Sequence, residues 1–219
     1  FWLLILLIVV AWGANLILNK PEPAPPVKTV RVMESMRTPY YLPLYLAVNL
    51  GYFTEEGLDV DITTTSQEAI QTALHDGRTD IALCGVQKIL FNPDSKGPQP
   101  KLFAAMAARD GSFLLSRQEN DSFQWQNLKN KSIIGYSHDD SSEIALEEAL
   151  RLHGQTPNRS VIIYYNIPDN LRLGAFRAGT GDYIQLLEPA ASQAETQGFG
   201  QVSASIGMAT GDMLVTAYA

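Results

Sequence analysis

The 219-residue sequence holds a single cysteine, Cys84, and three histidines, His75, His138 and His153. A lone cysteine excludes an intrachain disulfide and any cysteine-rich zinc or iron–sulfur site. No two histidines stand at ligand spacing, so neither a metal nor a cofactor is expected. Basic residues are outnumbered as well: 16 Lys and Arg against 23 Asp and Glu leave a formal net charge of −7. With no Lys/Arg block to offset that balance, a nucleic-acid partner is excluded, because a phosphate backbone selects basic surfaces. Also missing are a nucleophile elbow, a phosphate-binding glycine loop and a histidine–glutamate metal helix. Enzyme chemistry needs a nucleophile with a base in reach, a carboxylate pair or a metal, so the sequence argues for a protein that is not an enzyme.

What is present begins with a long apolar run. Residues 1–18 carry no charge and one strongly polar side chain, Asn15. At about 1.5 Å per residue such a run meets the lower limit for crossing roughly 30 Å of hydrocarbon. It fits equally the apolar core of a secretory signal with a small-residue exit near Gly13 and Ala14. The expectation is a signal or transmembrane anchor over 1–18, with no cysteine beside it for lipid attachment. A linker over 19–28 follows, in which KPEPAPP at 20–26 favours an extended polyproline spacer. Anchor, stiff spacer and acidic body together describe a domain held at, or secreted beyond, the outer face of the cytoplasmic membrane. The start without Met and the abrupt end in an apolar run over 213–218 lead to the expectation of a longer natural protein.

From residue 27 onward short β-rich runs alternate with amphipathic helical stretches, the pattern of an α/β fold with parallel strands. Strands are expected at 29–33 (TVRVM), 58–63 (LDVDIT) and 80–84 (DIALC), with helices at 43–50 and 67–75 between them. Two more extended segments follow at 102–107 and 113–116. A second, similar series then begins with strands at 132–136, 161–165 and 182–187 and helices from Ser141 to about His153 and over 171–178. Two β/α series predict two lobes, 29–117 and 118–219, the second expected to stop before the chain returns to the first.

The stretches TPYYLPLYLAVNLGYFTEEGLDVDI, ALHDGRTDIAL, NLKNKSIIGY and FRAGTGDYIQLLEPA, in that order, resemble the periplasmic solute-binding proteins of ABC importers. The branch they resemble takes up nitrate, sulfonates, taurine and thiamine-pyrimidine precursors. The resemblance covers nearly everything from about Val30 to Tyr218. It implies a two-lobed periplasmic-binding-protein-like fold of type II, each lobe a mostly parallel sheet flanked by helices. It also implies ligand capture by hinge closure, and ABC permease subunits as membrane partners. A eukaryotic thiamine-precursor synthase with a cysteine-rich signature belongs to the same family. Here Cys84 stands alone, so its activity does not carry over. A membrane-tethered ligand sensor remains the alternative to import.

Ligands of open α/β sheets bind at the carboxyl ends of strands, where loops and helix N-termini converge. After the first strand that rule selects Ser35, Arg37, Thr38, Tyr40 and Tyr41, with the tyrosines able to stack on a ring and the arginine to clamp an anion. After the third it selects Cys84, Gly85 and Gln87, where glycine permits close backbone approach and the amide both donates and accepts. Cys84 is as readily a small buried hydrophobe. Arg109, Asp110 and Asn166 lie at other strand ends. In the turn GYSHDDSS, Ser137, His138, Ser141 and Ser142 are candidates, the serines at a helix start that attracts anions. Asp139 and Asp140 beside them either favour a neutral or cationic ligand or merely cap the helix. Glu188, after the last strand of the second series, completes the set.

Overall fold

A computed structural model describes residues 27–90, 100–118 and 122–219. The anchor expected at 1–18 and nearly all of the linker lie outside the described residues. Among the described residues no helix is long and apolar enough to cross a membrane.

The first strand, β1 (Lys28–Glu34), pairs in parallel along its whole length with β2 (Leu58–Thr64), from Lys28 opposite Leu58 to Glu34 opposite Thr64. The crossover between them is a 3-10 turn over Pro39–Tyr41, then α1 (Leu42–Asn49) and α2 (Tyr52–Glu55). Thr38 opens the turn by accepting a hydrogen bond from the Tyr40 amide on its hydroxyl (3.3 Å). Gly51 separates the two helices at φ +82°, a conformation that costs a glycine nothing. Ser66 caps α3 (Gln67–His75) through the Ala69 amide (3.3 Å), and the helix buries Ile70 and Ala73. The chain continues through β3 (Ile81–Gly85), α4 (Val86–Leu90) and β4 (Ala104–Ala107).

The second series runs β5 (Phe113–Ser116), β6 (Ser132–Ile134), α5 (Ser141–Leu152), β7 (Ile162–Tyr164), α6 (Asp169–Arg177) and β8 (Tyr183–Leu186). It closes with α7 (Ala190–Thr196), β9 (Gln201–Ser205), α8 (Ile206–Thr210) and β10 (Thr216–Tyr218). The strands form two five-stranded sheets, ordered β2-β1-β3-β10-β4 and β7-β6-β8-β5-β9. In each sheet three parallel neighbours adjoin a strand of opposite direction: β10 runs antiparallel to β3 and β4, and β5 runs antiparallel to β8 and β9. Two mixed sheets with flanking helices make the two-lobed fold.

The expected division at 117/118 needs correction at both ends. β5, at 113–116, pairs in the second sheet, and β10 brings the chain back into the first. The chain therefore crosses between lobes twice, and the crossings lie side by side. Met213 and Val215 donate backbone hydrogen bonds to Ala108 and Ala107 (both 2.9 Å), Ile206 donates to Ser112 (3.0 Å), and Arg109 forms an ion pair with Asp212 (2.7 Å).

Each sheet buries both faces. On β3, Ala82 and Cys84 point into a cluster with Ile70 and Ile89, while Leu83 points the other way to Val32, Tyr41 and Leu44. On β6, Ile133 joins Leu114, Leu146 and Leu150, and Ile134 joins Phe176, Ile184 and Leu186. Each large aliphatic side chain wholly buried in these layers contributes about 1.5–3 kcal/mol.

Candidate functional site

The carboxyl ends of β1 and β3 and the N-terminal end of β10 face α5 and the end of β8 across a cleft. Between them lies a cavity of about 230 Å³. This is below the ~300–1,000 Å³ of pockets that hold drug-sized molecules. Ser35, Thr38, Tyr40, Tyr41, Gly85 and Gln87 wall it from the first lobe, and Asp140, Ser141, Ser142 and Leu187 from the second. Met36, Gln67, Lys88, Val215 and Thr216 complete the lining. An adjoining hollow of about 370 Å³ shares Gln67, Gln87 and Lys88 and is edged by Glu68, Gln71, Asp139 and Ile144.

Lobe meets lobe through α4 and the start of α5. The Ser141 hydroxyl donates to the Gln87 side-chain oxygen and approaches the Val215 carbonyl (3.2 Å). The Gln87 amide donates to the Asp139 carbonyl (3.0 Å), and the Lys88 ammonium pairs with the Asp139 carboxylate. Gly85 leaves room for this junction: a Cβ there would stand 2.5 Å from both the Gln87 side chain and the Ser141 hydroxyl.

The two tyrosines have different duties. Tyr41 is buried against Val32 and Leu44, and burial pushes its phenol up to about 12. Tyr40 lays its ring on Gly111 and donates its hydroxyl to the Arg109 carbonyl, so it bridges from the first strand's loop to the interlobe crossing. Burial, then the nearby Asp110 charge, raises its phenol well above the ordinary range.

On the other side, Asp140 is the N-cap of α5, its Oδ1 accepting from the Ser142 amide (2.8 Å). Burial, first among the causes, raises the Asp140 carboxyl. A buried polar layer supports this helix start. The Gln185 amide donates to the Ser112 hydroxyl (2.8 Å) and the Ser142 carbonyl (2.7 Å), and Arg172 donates to the Gln185 carbonyl (2.6 Å) with its guanidinium 3.6 Å from the Tyr136 ring centre. The Tyr136 hydroxyl accepts from the Leu187 amide (3.0 Å), fixing Leu187 at the cavity.

Eight of the sixteen residues selected from the sequence therefore meet at the cavity. The other eight do not line it, each for a physical reason. Arg37 turns outward to the buried Glu34 carboxylate (3.0 Å) and over the Tyr45 ring. Cys84 points the opposite way from its neighbour in the strand, into the first-lobe core, where burial raises its thiol. Arg109 is held by Asp212, and Asp110 is buried beneath the crossing, accepting from the Ser112 amide (2.9 Å). Ser137, His138 and Asn166 are exposed, His138 standing edge-on to Tyr165. Glu188 folds back on α7 to accept from Ser192. Among the described residues no group of three or more His, Cys, Asp or Glu side chains is placed to hold a metal ion.

Residues 38–199 match the NMT1/THI5-like family. The chain belongs to that family. Its NMT1/THI5-like relatives include "Putative binding protein YtlA" of Bacillus subtilis strain 168, 35% identical over 191 residues, or 86% of this chain and 57% of that protein. The 4-amino-5-hydroxymethyl-2-methylpyrimidine phosphate synthase THI13 of Saccharomyces cerevisiae is 26% identical over 147 residues, 66% of this chain and 43% of the synthase. The chain thus spans about half the length of the curated relatives it matches. Among solved structures, the periplasmic aliphatic sulphonate binding protein SsuA from Escherichia coli superposes with a TM-score of 0.69 at 18% identity, over 87% of this chain and 64% of that one. This likeness confirms the two-lobed fold.

Proposed function

We propose that this chain captures a small solute in the cavity between its lobes, as the binding component of an ABC-type importer outside the cytoplasmic membrane. The observation that carries the reading is the cavity itself, walled by both lobes and bounded by side chains that reach across the cleft. Two lobes joined by short crossings are built for hinge closure around a bound solute. The paired crossings at 107–112 and 206–215 are the segments about which the lobes would move. Family membership and the fold shared with a sulphonate-binding protein support the same reading. Ser35, Thr38, Tyr40, Tyr41, Gly85, Gln87, Ser141 and Ser142 would touch the solute, permease subunits would receive it, and residues 1–18 would hold the protein at the membrane.

A thermal-shift screen of the full-length protein against small organic solutes and inorganic anions tests this. One ligand at a hundred times its dissociation constant stabilises by about 2.7 kcal/mol. The expected result is stabilisation by one chemical class, with the compound recovered intact. Chemical conversion of the bound compound would overturn the reading in favour of a second one, a pyrimidine-phosphate-forming enzyme, which the likeness to THI13 favours.

A further inference from the structure

A strand at the rim of a sheet exposes main-chain donors and acceptors, and proteins blunt such rims against unwanted pairing. Among the described residues the two sheets end in β2, β4, β7 and β9, and three of these rims are blunted. On β7 the Ile163 amide donates to the Asn158 side-chain oxygen (3.2 Å), and the Asn158 amide donates to the Val161 carbonyl (2.7 Å). On β9 the Val202 amide donates to the Glu195 carboxylate of α7 (2.9 Å). β4 is only four residues long, and its pairing with β10 is interrupted by a register shift at Thr216 and Ala217.

The rim of β2 is left open. The strand runs seven residues in unbroken parallel register with β1. The Lys28 amide donates to the Gly57 carbonyl (2.9 Å) at one end of this ladder, and the Thr65 amide to the Glu34 carbonyl (3.0 Å) at the other. Bonding groups alternate along a strand, so Asp59, Asp61 and Thr63 turn theirs to β1 as well. The N–H and C=O groups of Leu58, Val60, Ile62 and Thr64 therefore point away from the sheet. Among the described residues none of them has a hydrogen-bond partner. The side chains are sorted by face. Val60 and Ile62 are half-buried against the cluster of Val32, Tyr41 and Leu44, while Asp59 and Asp61 are exposed on the other face. Arg31 stands opposite Asp61 in the register, yet its guanidinium is committed to Asp80 (3.0 and 2.8 Å). Neither Asp59 nor Asp61 has an ion-pair partner among the described residues.

We infer that the open rim of β2 is a docking site for an extended segment of a partner protein, which adds a strand to the first sheet. That segment alternates apolar residues with Lys or Arg. Its main chain takes up the free groups of Leu58, Val60, Ile62 and Thr64. Its apolar side chains extend the layer of Val60 and Ile62, and its basic ones lie beside Asp59 and Asp61. Charge argues against a second copy as the occupant. Antiparallel pairing of two β2 strands about a two-fold axis would set Asp59 and Asp61 beside the same residues of the other copy. The chain's formal net charge of −7 adds to that repulsion. No residue of β2 lines the cavity between the lobes, so docking here is independent of solute capture.

The test is hydrogen exchange of the full-length protein, read by mass spectrometry, with the synthetic peptide TVKVKVT against its acidic counterpart TVEVEVT. TVKVKVT is expected to slow exchange across residues 58–64, where the outward amides gain partners, and TVEVEVT is not. Raising the salt is expected to weaken the protection. Asp59→Lys together with Asp61→Lys is expected to weaken TVKVKVT about 10-fold and to admit TVEVEVT, since each attractive pair becomes a repulsive one. The fully N-methylated form of TVKVKVT keeps its charge but has no N–H to give, and is expected to leave exchange unchanged. That control needs no altered protein, so it reports on the rim even if the double variant folds poorly. Equal protection by the N-methylated peptide would reduce the contact to charge alone and overturn strand addition. Protection of 58–64 in the protein by itself, growing with its concentration, would assign the rim to a second copy and overturn the basic partner. No protection by TVKVKVT at any soluble concentration would overturn the docking site and leave solute capture untouched.

Discussion

Lys88 on α4 and Asp139 in the turn before α5 form an ion pair that joins the two lobes at the edge of the cavity. The Lys88 hydrogen bond, the largest influence on it, holds the Asp139 carboxyl below the usual carboxylate range. The Asp139 side chain is 71% exposed, so water screens the pair and its contribution is about 0.2–1 kcal/mol. K88A is therefore expected to loosen the cleft without unfolding the protein. Small-angle scattering should show a larger radius of gyration for the ligand-free variant at low salt, and raising the salt should bring the native protein toward the same value. No difference at low salt would mean that the pair does not bear on the cleft.

Glu143, in the first turn of α5, is wholly buried and neither carboxyl oxygen has a hydrogen-bond partner. Burial, reinforced by the charge of Glu147, pushes its carboxyl up from 4.5 to about 8. Between those values the folded protein keeps a proton that the unfolded chain has released, so stability falls as pH rises through this window. Below 4.5 both states hold the proton and the contribution vanishes; by pH 8 the loss is on the order of a few kcal/mol. E143Q removes the titrating group. Its melting temperature is expected to fall less between pH 5 and pH 8 than that of the native protein, a comparison that differential scanning calorimetry makes directly.

Gly207 is buried at the start of α8, where a Cβ would stand 2.0 Å from the backbone oxygen of Asp110. That contact is with backbone on the neighbouring crossing, which cannot swing aside as a side chain would. G207A is expected to destabilise by about 1–3 kcal/mol, the usual cost of overpacking, and to lower the melting temperature by several degrees. An unchanged melting temperature would show that the two crossings are not packed as described.

Cys84 is completely buried in the first-lobe core, and burial raises its thiol. The thiolate is the reactive form, so iodoacetamide is expected to leave the folded protein unmodified and to label it quantitatively in denaturant. Labelling at the same rate in both conditions would place the thiol at the surface.

The alternation of strands and helices was legible because each element carries its own period and punctuation. The helix expected at 67–75 is observed as α3 with Ser66 and Gly77 at its ends, and the strand expected at 58–63 is β2 with one residue added. α7, β9 and α8 escaped notice. AASQAET, QVSAS and IGMAT are short, small or polar, and their shape comes from packing beside β8 and β5 rather than from a strong pattern of their own. Sheet membership was less legible still. A four-residue strand such as β5, buried along most of its length, shows that it is interior without saying which sheet it enters.

The same blindness decided the site. The rule of strand carboxyl ends found Tyr40, Tyr41, Gly85 and Gln87, because β1 and β3 run parallel. It missed Val215 and Thr216 because β10 runs the other way, so its N-terminal end reaches the cavity. Gln67 and Lys88 enter from helices next to the cleft, where nothing in the local pattern distinguishes them from solvated side chains.

The placement of β10 between β3 and β4 has a consequence for how the protein is made. Among the described residues, β4 is without a partner in its own sheet until Thr216–Tyr218 arrive, and these are synthesised after all five strands of the second sheet. Long-range pairing of this kind is slow, because loop-closure entropy must be met before the contacts reward it. A chain emerging vectorially, from the ribosome or through an export channel, would carry an incomplete β edge while the second sheet is made, and that edge is where misassociation between nascent copies would start.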